Sequence, residues 1–252
     1  NIYMKLTLPD NSIREIEVGS CGFDLAKDIG PGLAKAAVAI DINGEQRDLF
    51  DPINEDANVS IITINSEEGL EIMRHTLTAQ VLARAIKTIY PDSQLAIGPT
   101  IKDGFYYDFK TNKTVSIDSL HDIEKEMKKI IDSKSNITKK LFSRKDALKV
   151  FNDNKEPYKK LIIEDSDQKN DFQLYFQDDN QFADLCRGPH LPNLSFIGSF
   201  KLTRVSGAYW KGDSKNEMLT RIYGTAWTSE QELKKHLLEV EEAEKRDHRK
   251  LG

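Results

Sequence analysis

The sequence predicts an α+β fold in two unequal parts. A small β-rich unit with one early helix occupies residues 1–64, a larger unit with antiparallel strands occupies 65–228, and a terminal helix occupies 229–252. Three observations predict this. Period-two alternation and turn chemistry fill the first sixty residues, a long helical pattern opens abruptly at Ser66, and short alternating runs recur between charged helical stretches from Gln94 onward.

Residues 2–8 alternate polar and apolar, Pro9-Asp10-Asn11-Ser12 is turn chemistry, and residues 13–18 form the returning strand. Residues 23–29 have helical spacing that stops at Gly30-Pro31-Gly32. Residues 37–42, a turn at Asn43-Gly44, and residues 59–64 supply more strands. A hairpin, a helix and then further strands make a β-grasp order.

Asn65 or Ser66 caps the next helix, with Glu67 and Glu68 in its first turn, where carboxylates meet the positive end of the helix dipole. Leu70, Met73, Leu77, Val81 and Ile86 carry its apolar faces to about Tyr90. Strands follow at 94–98, 104–108, 137–142, 172–176, 200–206 and 218–223, with helices at 117–131, 144–151 and 157–163. Ser229, with Glu232 three residues on, is a capping box for the last helix. That helix has a narrow apolar stripe and many charges, as suits an element that bridges to a neighbour.

A chain of 252 residues can bury two modest cores. No apolar run approaches membrane length and no signal peptide is readable, so a cytoplasmic protein without membrane contact is expected. Cys21 and Cys186 are the only cysteines and stand in unlike contexts, which excludes a disulfide framework. The net charge of −5 argues against avid, non-specific nucleic-acid binding, while leaving room for a local basic patch.

The densest chemistry lies in Phe182-Ala183-Asp184-Leu185-Cys186-Arg187-Gly188-Pro189-His190. Cys186 and His190 are four apart, and Gly188 and Pro189 between them preclude a comfortable helix. The pair therefore sits on a turn, able to point a thiol and an imidazole into one cleft. Asp184 and Arg187 add opposite charges. Gly30-Pro31-Gly32 is no phosphate loop, because it lacks the Gly-Lys-Ser/Thr ending.

This segment resembles the N-terminal half of bacterial-type threonyl-tRNA synthetases, and the resemblance covers essentially the whole chain. Further landmarks are Asp28-Ile29-Gly30-Pro31-Gly32-Leu33-Ala34-Lys35-Ala36, Glu68-Gly69-Leu70-Glu71-Ile72, Ile97-Gly98-Pro99, Gly104-Phe105-Tyr106-Tyr107-Asp108, Gly207-Ala208-Tyr209-Trp210 and Arg221-Ile222-Tyr223-Gly224-Thr225-Ala226-Trp227. The resemblance implies a ubiquitin-like TGS domain over 1–64, an editing domain over 65–228, and a linker helix over 229–252 leading toward a catalytic core that this chain lacks. ATP and zinc belong to that core in the family, as does the homodimer contact, so no cofactor and no aminoacylation are expected here. The implied activity is hydrolysis of serine wrongly esterified to the 3′ end of tRNA(Thr).

Serine is threonine less one methyl, and a pocket that must hold threonine rejects serine by only about 1–3 kcal/mol. A second site can be too small for threonine and still admit serine. Such a site needs a water, a group to take its proton, and donors for the tetrahedral oxyanion. The expected catalytic residues are His75, Lys159, Asp184, Cys186 and His190. Gln80, Tyr107 and Arg187 are expected to bind substrate, Tyr107 by stacking on the adenine or by bonding the ribose, and the resemblance implies that Tyr209 and Trp210 border the cleft and join them. Arg187, Lys201, Arg204, Lys211 and Arg221 offer a basic rim for phosphates.

One departure matters. The family carries His-x-x-x-His in the first editing-domain helix, but the residue four after His75 is Ala79. Matching the residues from Val81 to Ile86 puts Gln80 at the second histidine, with one extra residue in between. Five residues turn about 140° beyond a full revolution of an α-helix, so a π-bulge over 77–79 is needed for His75 and Gln80 to converge. Without it, Thr76 takes the first histidine's place. Gln is a poor zinc ligand, so no tightly bound zinc is expected. Two alternatives remain: a module that grips the tRNA acceptor arm without hydrolysis, and a zinc-dependent deacylase of the alanyl-editing kind.

Overall fold

The computed structural model describes residues 2–178 and 182–251. Strands β1 (Tyr3–Thr7) and β2 (Ile13–Glu17) pair antiparallel across the expected turn. Helix α1 (Gly22–Ile29) starts where Asp24 accepts the Cys21 backbone N–H at 3.0 Å. Pro31, whose missing N–H costs nothing at a helix start, then opens a second short helix, α2 (Pro31–Ala36), where the sequence predicted only a stop. Strands β3 (Ala37–Ile42), β4 (Glu45–Asp48) and β5 (Ala57–Thr63) complete a sheet of order β2-β1-β5-β3-β4. β1 runs parallel to β5 while the other pairs are antiparallel, which is the β-grasp arrangement. β4 is polar and exposed on its first three residues, so it carries no apolar alternation to read.

The long helical pattern from Ser66 becomes three consecutive segments. Helix α3 (Glu67–Thr76) is capped by Ser66, whose Oγ accepts the Gly69 N–H at 3.0 Å. A π-helix follows over Leu77–Leu82, and α4 (Ala83–Ile89) resumes the α-helical repeat. Strands β6 (Gln94–Leu95), β7 (Thr100–Ile101) and β8 (Gly104–Lys110) come next, then helix α5 (Ser119–Asp132) and strand β9 (Ile137–Phe142). Helices α6 (Arg144–Asp153) and α7 (Pro157–Asp165) precede β10 (Phe172–Gln177) and the three-residue β11 (Ala183–Leu185). Strands β12 (Ser199–Tyr209) and β13 (Met218–Trp227) lead to α8 (Glu230–Leu251).

Two antiparallel sheets result, ordered β11-β10-β9 and β12-β13-β8-β6, with β7 also on β8. Alternation on β8 buries Phe105, Tyr107 and Phe109 against Met73, Leu77, Val81 and Ile86 of the helical run and Ile123 and Met127 of α5. Each such side chain contributes about 1.5–3 kcal/mol by leaving water. Val38 and Ile62 of the first sheet belong to this same core, so the two parts of the chain share packing. Along α8, Leu233 is the buried residue among those described, which fits its polar sequence. Ser229 Oγ accepts the Glu232 N–H at 3.2 Å, while the Glu232 carboxylate accepts from Thr228 rather than closing back on Ser229. No helix among the described residues is long and apolar enough to cross a membrane.

Candidate active site

The end of α3 and the Cys-turn-His segment meet. His75 Nε2 lies 2.8 Å from Cys186 Sγ, and Thr76 Oγ1 lies 3.0 Å from His190 Nδ1. The two imidazoles stack almost parallel, with centroids 4.6 Å apart and planes 2° apart. The Gly188–Pro189 peptide is cis, and Gly188 has a φ of 68°, a conformation that costs glycine little. A Cβ at Gly188 would strike the Tyr175 hydroxyl, so the turn also needs glycine for space. The Gly188 N–H donates to Cys186 Sγ at 3.2 Å.

A cleft of about 990 Å³ opens beside this junction. His75, Tyr107, Lys159, Asp184, Cys186 and Arg187 line it, with Ile97-Gly98-Pro99 forming one wall. Gly98 packs so closely on the Tyr107 ring that a side chain there has no room. Lys159 and Asp184 are both buried and form an ion pair, with Nζ and Oδ1 2.8 Å apart. The ammonium also lies 5.9 Å from the centre of the Tyr107 ring, within cation–π range. Burial alone lowers the pKa of Lys159, yet the Asp184 carboxylate and the Tyr107 hydroxyl outweigh it, and the net shift is upward. Lys159 therefore stays charged and is no base.

The imidazoles and the thiol behave differently. Burial lowers the His75 pKa, with Asp184 and Glu71 opposing. Burial, aided by neighbouring His75, holds His190 well below the usual imidazole range. Both rings are neutral at pH 7. Burial, with the Asp184 charge, pushes the Cys186 thiol up to about 12. Cys186 thus faces His75 as a thiol and does not behave as a thiolate nucleophile.

The first sheet reaches this site from behind. Asp48, at the end of β4, accepts the His190 backbone N–H at 2.9 Å and the Tyr175 hydroxyl at 2.7 Å. Tyr175 in turn meets the His190 ring edge-on, with centroids 4.5 Å apart. Lys139 lies 3.4 Å from Asp48 and 2.7 Å from Asp51. Glu45 of the same strand lines the cleft rim. Nothing in the local pattern of β4 marks Asp48, because its partners Tyr175 and His190 lie more than a hundred residues away.

Several expectations need correction. The π-helix exists, yet it does not bring Gln80 to the cleft. Gln80 is buried, its Oε1 and backbone carbonyl both accept from Gln177 Nε2, and Ala79 is the residue that lines the cleft. The Tyr107 ring is wholly buried and offers no face for an adenine, and its hydroxyl interacts with the Lys159 ammonium. Tyr209 and Trp210 do not line the cleft: Tyr209 is exposed, and Trp210 packs on Tyr158. Lys211 lines it instead, 2.7 Å from Asp165. In the basic rim, Lys201 pairs with Glu124, Arg221 is bidentate to Asp108, and Arg204 lies on the Tyr223 ring. That leaves Arg187 and Lys211 at the cleft. His190 is buried behind His75 and outside the lining.

One donor atom each from His75, Cys186 and His190 lies within 4.8 Å of the others, a spacing that a metal ion could bridge. As arranged, His75 and Cys186 satisfy each other by a hydrogen bond, and Thr76 occupies His190 Nδ1.

Two families of known proteins match parts of the chain. Residues 4–63 match the TGS domain family, and residues 173–223 match the family described as threonyl and alanyl tRNA synthetase second additional domain, a segment that holds Asp184, Cys186 and His190. The chain is 47% identical over 247 residues to a threonine–tRNA ligase of Prochlorococcus marinus, 50% identical over 249 residues to one of Paramagnetospirillum magneticum, and 47% identical over 247 residues to one of Saccharophagus degradans. Each alignment covers 98% of this chain and 38–39% of the relative, so the chain spans well under half the length of these curated relatives.

Proposed function

We propose, from the premise that this chain is a relative of the threonine–tRNA ligases carrying their TGS and second additional domains, that its cleft removes serine from wrongly charged tRNA(Thr) by hydrolysing the aminoacyl ester. In this reading residues 1–64 are the TGS domain, 65–228 the editing domain and 229–252 a linker helix. The observation that carries it is the meeting of His75, Lys159, Asp184 and Cys186 in one cleft within the domain type found in threonyl and alanyl tRNA synthetases.

The chemistry follows from the protonation states. The fixed charge of Lys159, held by Asp184, is a donor for the oxyanion that forms when water attacks the ester carbonyl. His75 is neutral and takes the water's proton, with the Cys186 thiol orienting its ring. With Cys186 held as a thiol, the reading takes water as the attacking group. Discrimination in this reading is by size, with Gly98 and Tyr107 in the wall that faces the substrate side chain. Arg187 and Lys211 at the mouth suit the phosphates of a tRNA 3′ end.

Incubating the chain with Ser-tRNA(Thr) and Thr-tRNA(Thr) tests this. Loss of the seryl ester well above the buffer rate, with the threonyl ester spared, is expected. Tight tRNA binding with no turnover would favour the binding-module reading, which the glutamine at position 80 supports because it stands where the family carries its second imidazole. No metal is needed. Zinc analysis of purified protein is expected to give much less than one ion per chain, and a stoichiometric ion bound by His75, Cys186 and His190 would favour the zinc-dependent alternative.

A further inference from the structure

Thr76 is fully buried, and its hydroxyl has two neighbours. The Leu191 backbone N–H donates to Oγ1 at 3.0 Å, and His190 Nδ1 lies 3.0 Å from the same oxygen. The first contact takes one lone pair. The second has two solutions. Either Nδ1–H donates to Oγ1, leaving the Thr76 O–H with no acceptor among the described residues, or the Thr76 O–H donates to an unprotonated Nδ1. A buried hydroxyl left without an acceptor is costly, about 1–3 kcal/mol, and the second solution removes that orphan. It places the ring proton on Nε2, which is buried and has no partner among the described residues.

We propose that Thr76 is a positioning residue that fixes His190 as the Nε2–H tautomer. His190 then presents a hydrogen-bond donor at Nε2 and offers no lone pair there for a proton or a metal ion. The burial that keeps the ring neutral is consistent with this. The chain of donors runs in one direction, from the Leu191 amide through the Thr76 hydroxyl to the His190 ring. The kinetic part of this role rests on the hydrolytic reading, whereas the tautomer does not.

Histidine-selective ¹⁵N labelling with two-bond ¹⁵N–¹H correlation spectra of the whole chain reports which ring nitrogen carries the proton, His190→Gln serving to assign the signal. The wild type and Thr76→Ser are expected to show Nε2 protonated and Nδ1 bare. Thr76→Val is expected to lose that single tautomer and to lower kcat for Ser-tRNA(Thr) about tenfold, the size of one hydrogen bond, with KM within about twofold and Thr76→Ser restoring the rate. Protonation at Nδ1 in the wild type, or a Thr76→Val spectrum unchanged from it, overturns the proposal. Should Thr76→Val unfold, the wild-type and Thr76→Ser spectra still decide. A wild type protonated at Nε2 that hydrolyses nothing defeats the functional reading and leaves the tautomer standing.

Discussion

Two corners of one cleft solve the problem of burying polar groups in opposite ways. The Lys159–Asp184 corner keeps full charges and cancels them against each other. The His75–Cys186–His190 corner keeps no charge and, His190 Nε2 excepted, satisfies its atoms by neutral hydrogen bonds and ring stacking. A buried ion pair repays its desolvation only while both partners are present. A neutral network loses about one hydrogen bond at a time. The first corner is therefore brittle and the second graded, and substitutions should separate them.

The largest effect is expected at the charged corner. Lys159→Met removes the oxyanion donor and should lower kcat/KM for Ser-tRNA(Thr) by about 10²–10³-fold. It also strands Asp184, and urea unfolding should show a loss of about 3–5 kcal/mol. Asp184→Asn in the same background should recover much of that stability and none of the activity. Recovery of both would mean that Lys159 serves packing alone.

A smaller effect is expected at the neutral corner. Cys186→Ala should lower hydrolysis about tenfold, the scale of one hydrogen bond, with the unfolding midpoint nearly unchanged. An unchanged rate would remove the thiol from the orientation of His75.

The smallest effect lies in the pH dependence of stability. His75 and His190 have folded pKa values below the unfolded value of about 6.5, so the unfolded chain binds more protons as the solution is acidified. Their contribution is complete above that pH and is lost as the pH falls from about 6.5 toward the folded values. Urea midpoints should decline between pH 7.5 and 5.5, and His190→Gln should flatten the slope. A slope identical in that variant would assign the titration to other groups.

How much of this was legible depends on distance along the chain. The caps at Ser66 and Ser229, the turn at Asn43-Gly44 and the inward row of β8 follow from patterns within a few residues, and the structure carries each of them. The extra residue after His75 pointed to a π-helical stretch, because a register change inside a helix has few other outlets. The side chain it delivers to the cleft was not readable, since Gln80 is claimed by Gln177, 97 positions away. Asp48 was invisible for the same reason: its partners Tyr175 and His190 lie 127 and 142 positions on, and β4 itself has no apolar rhythm. Trp210 was placed at the cleft by resemblance alone, and no local pattern shows that its ring packs on Tyr158.

The bond from the His190 amide to Asp48 spans the seam between the first sheet and the cleft-bearing part. That one proton is shielded from solvent only while the seam is closed. Its exchange with deuterium therefore serves as a built-in gauge of how often the two parts separate, readable at a single residue and without any substrate.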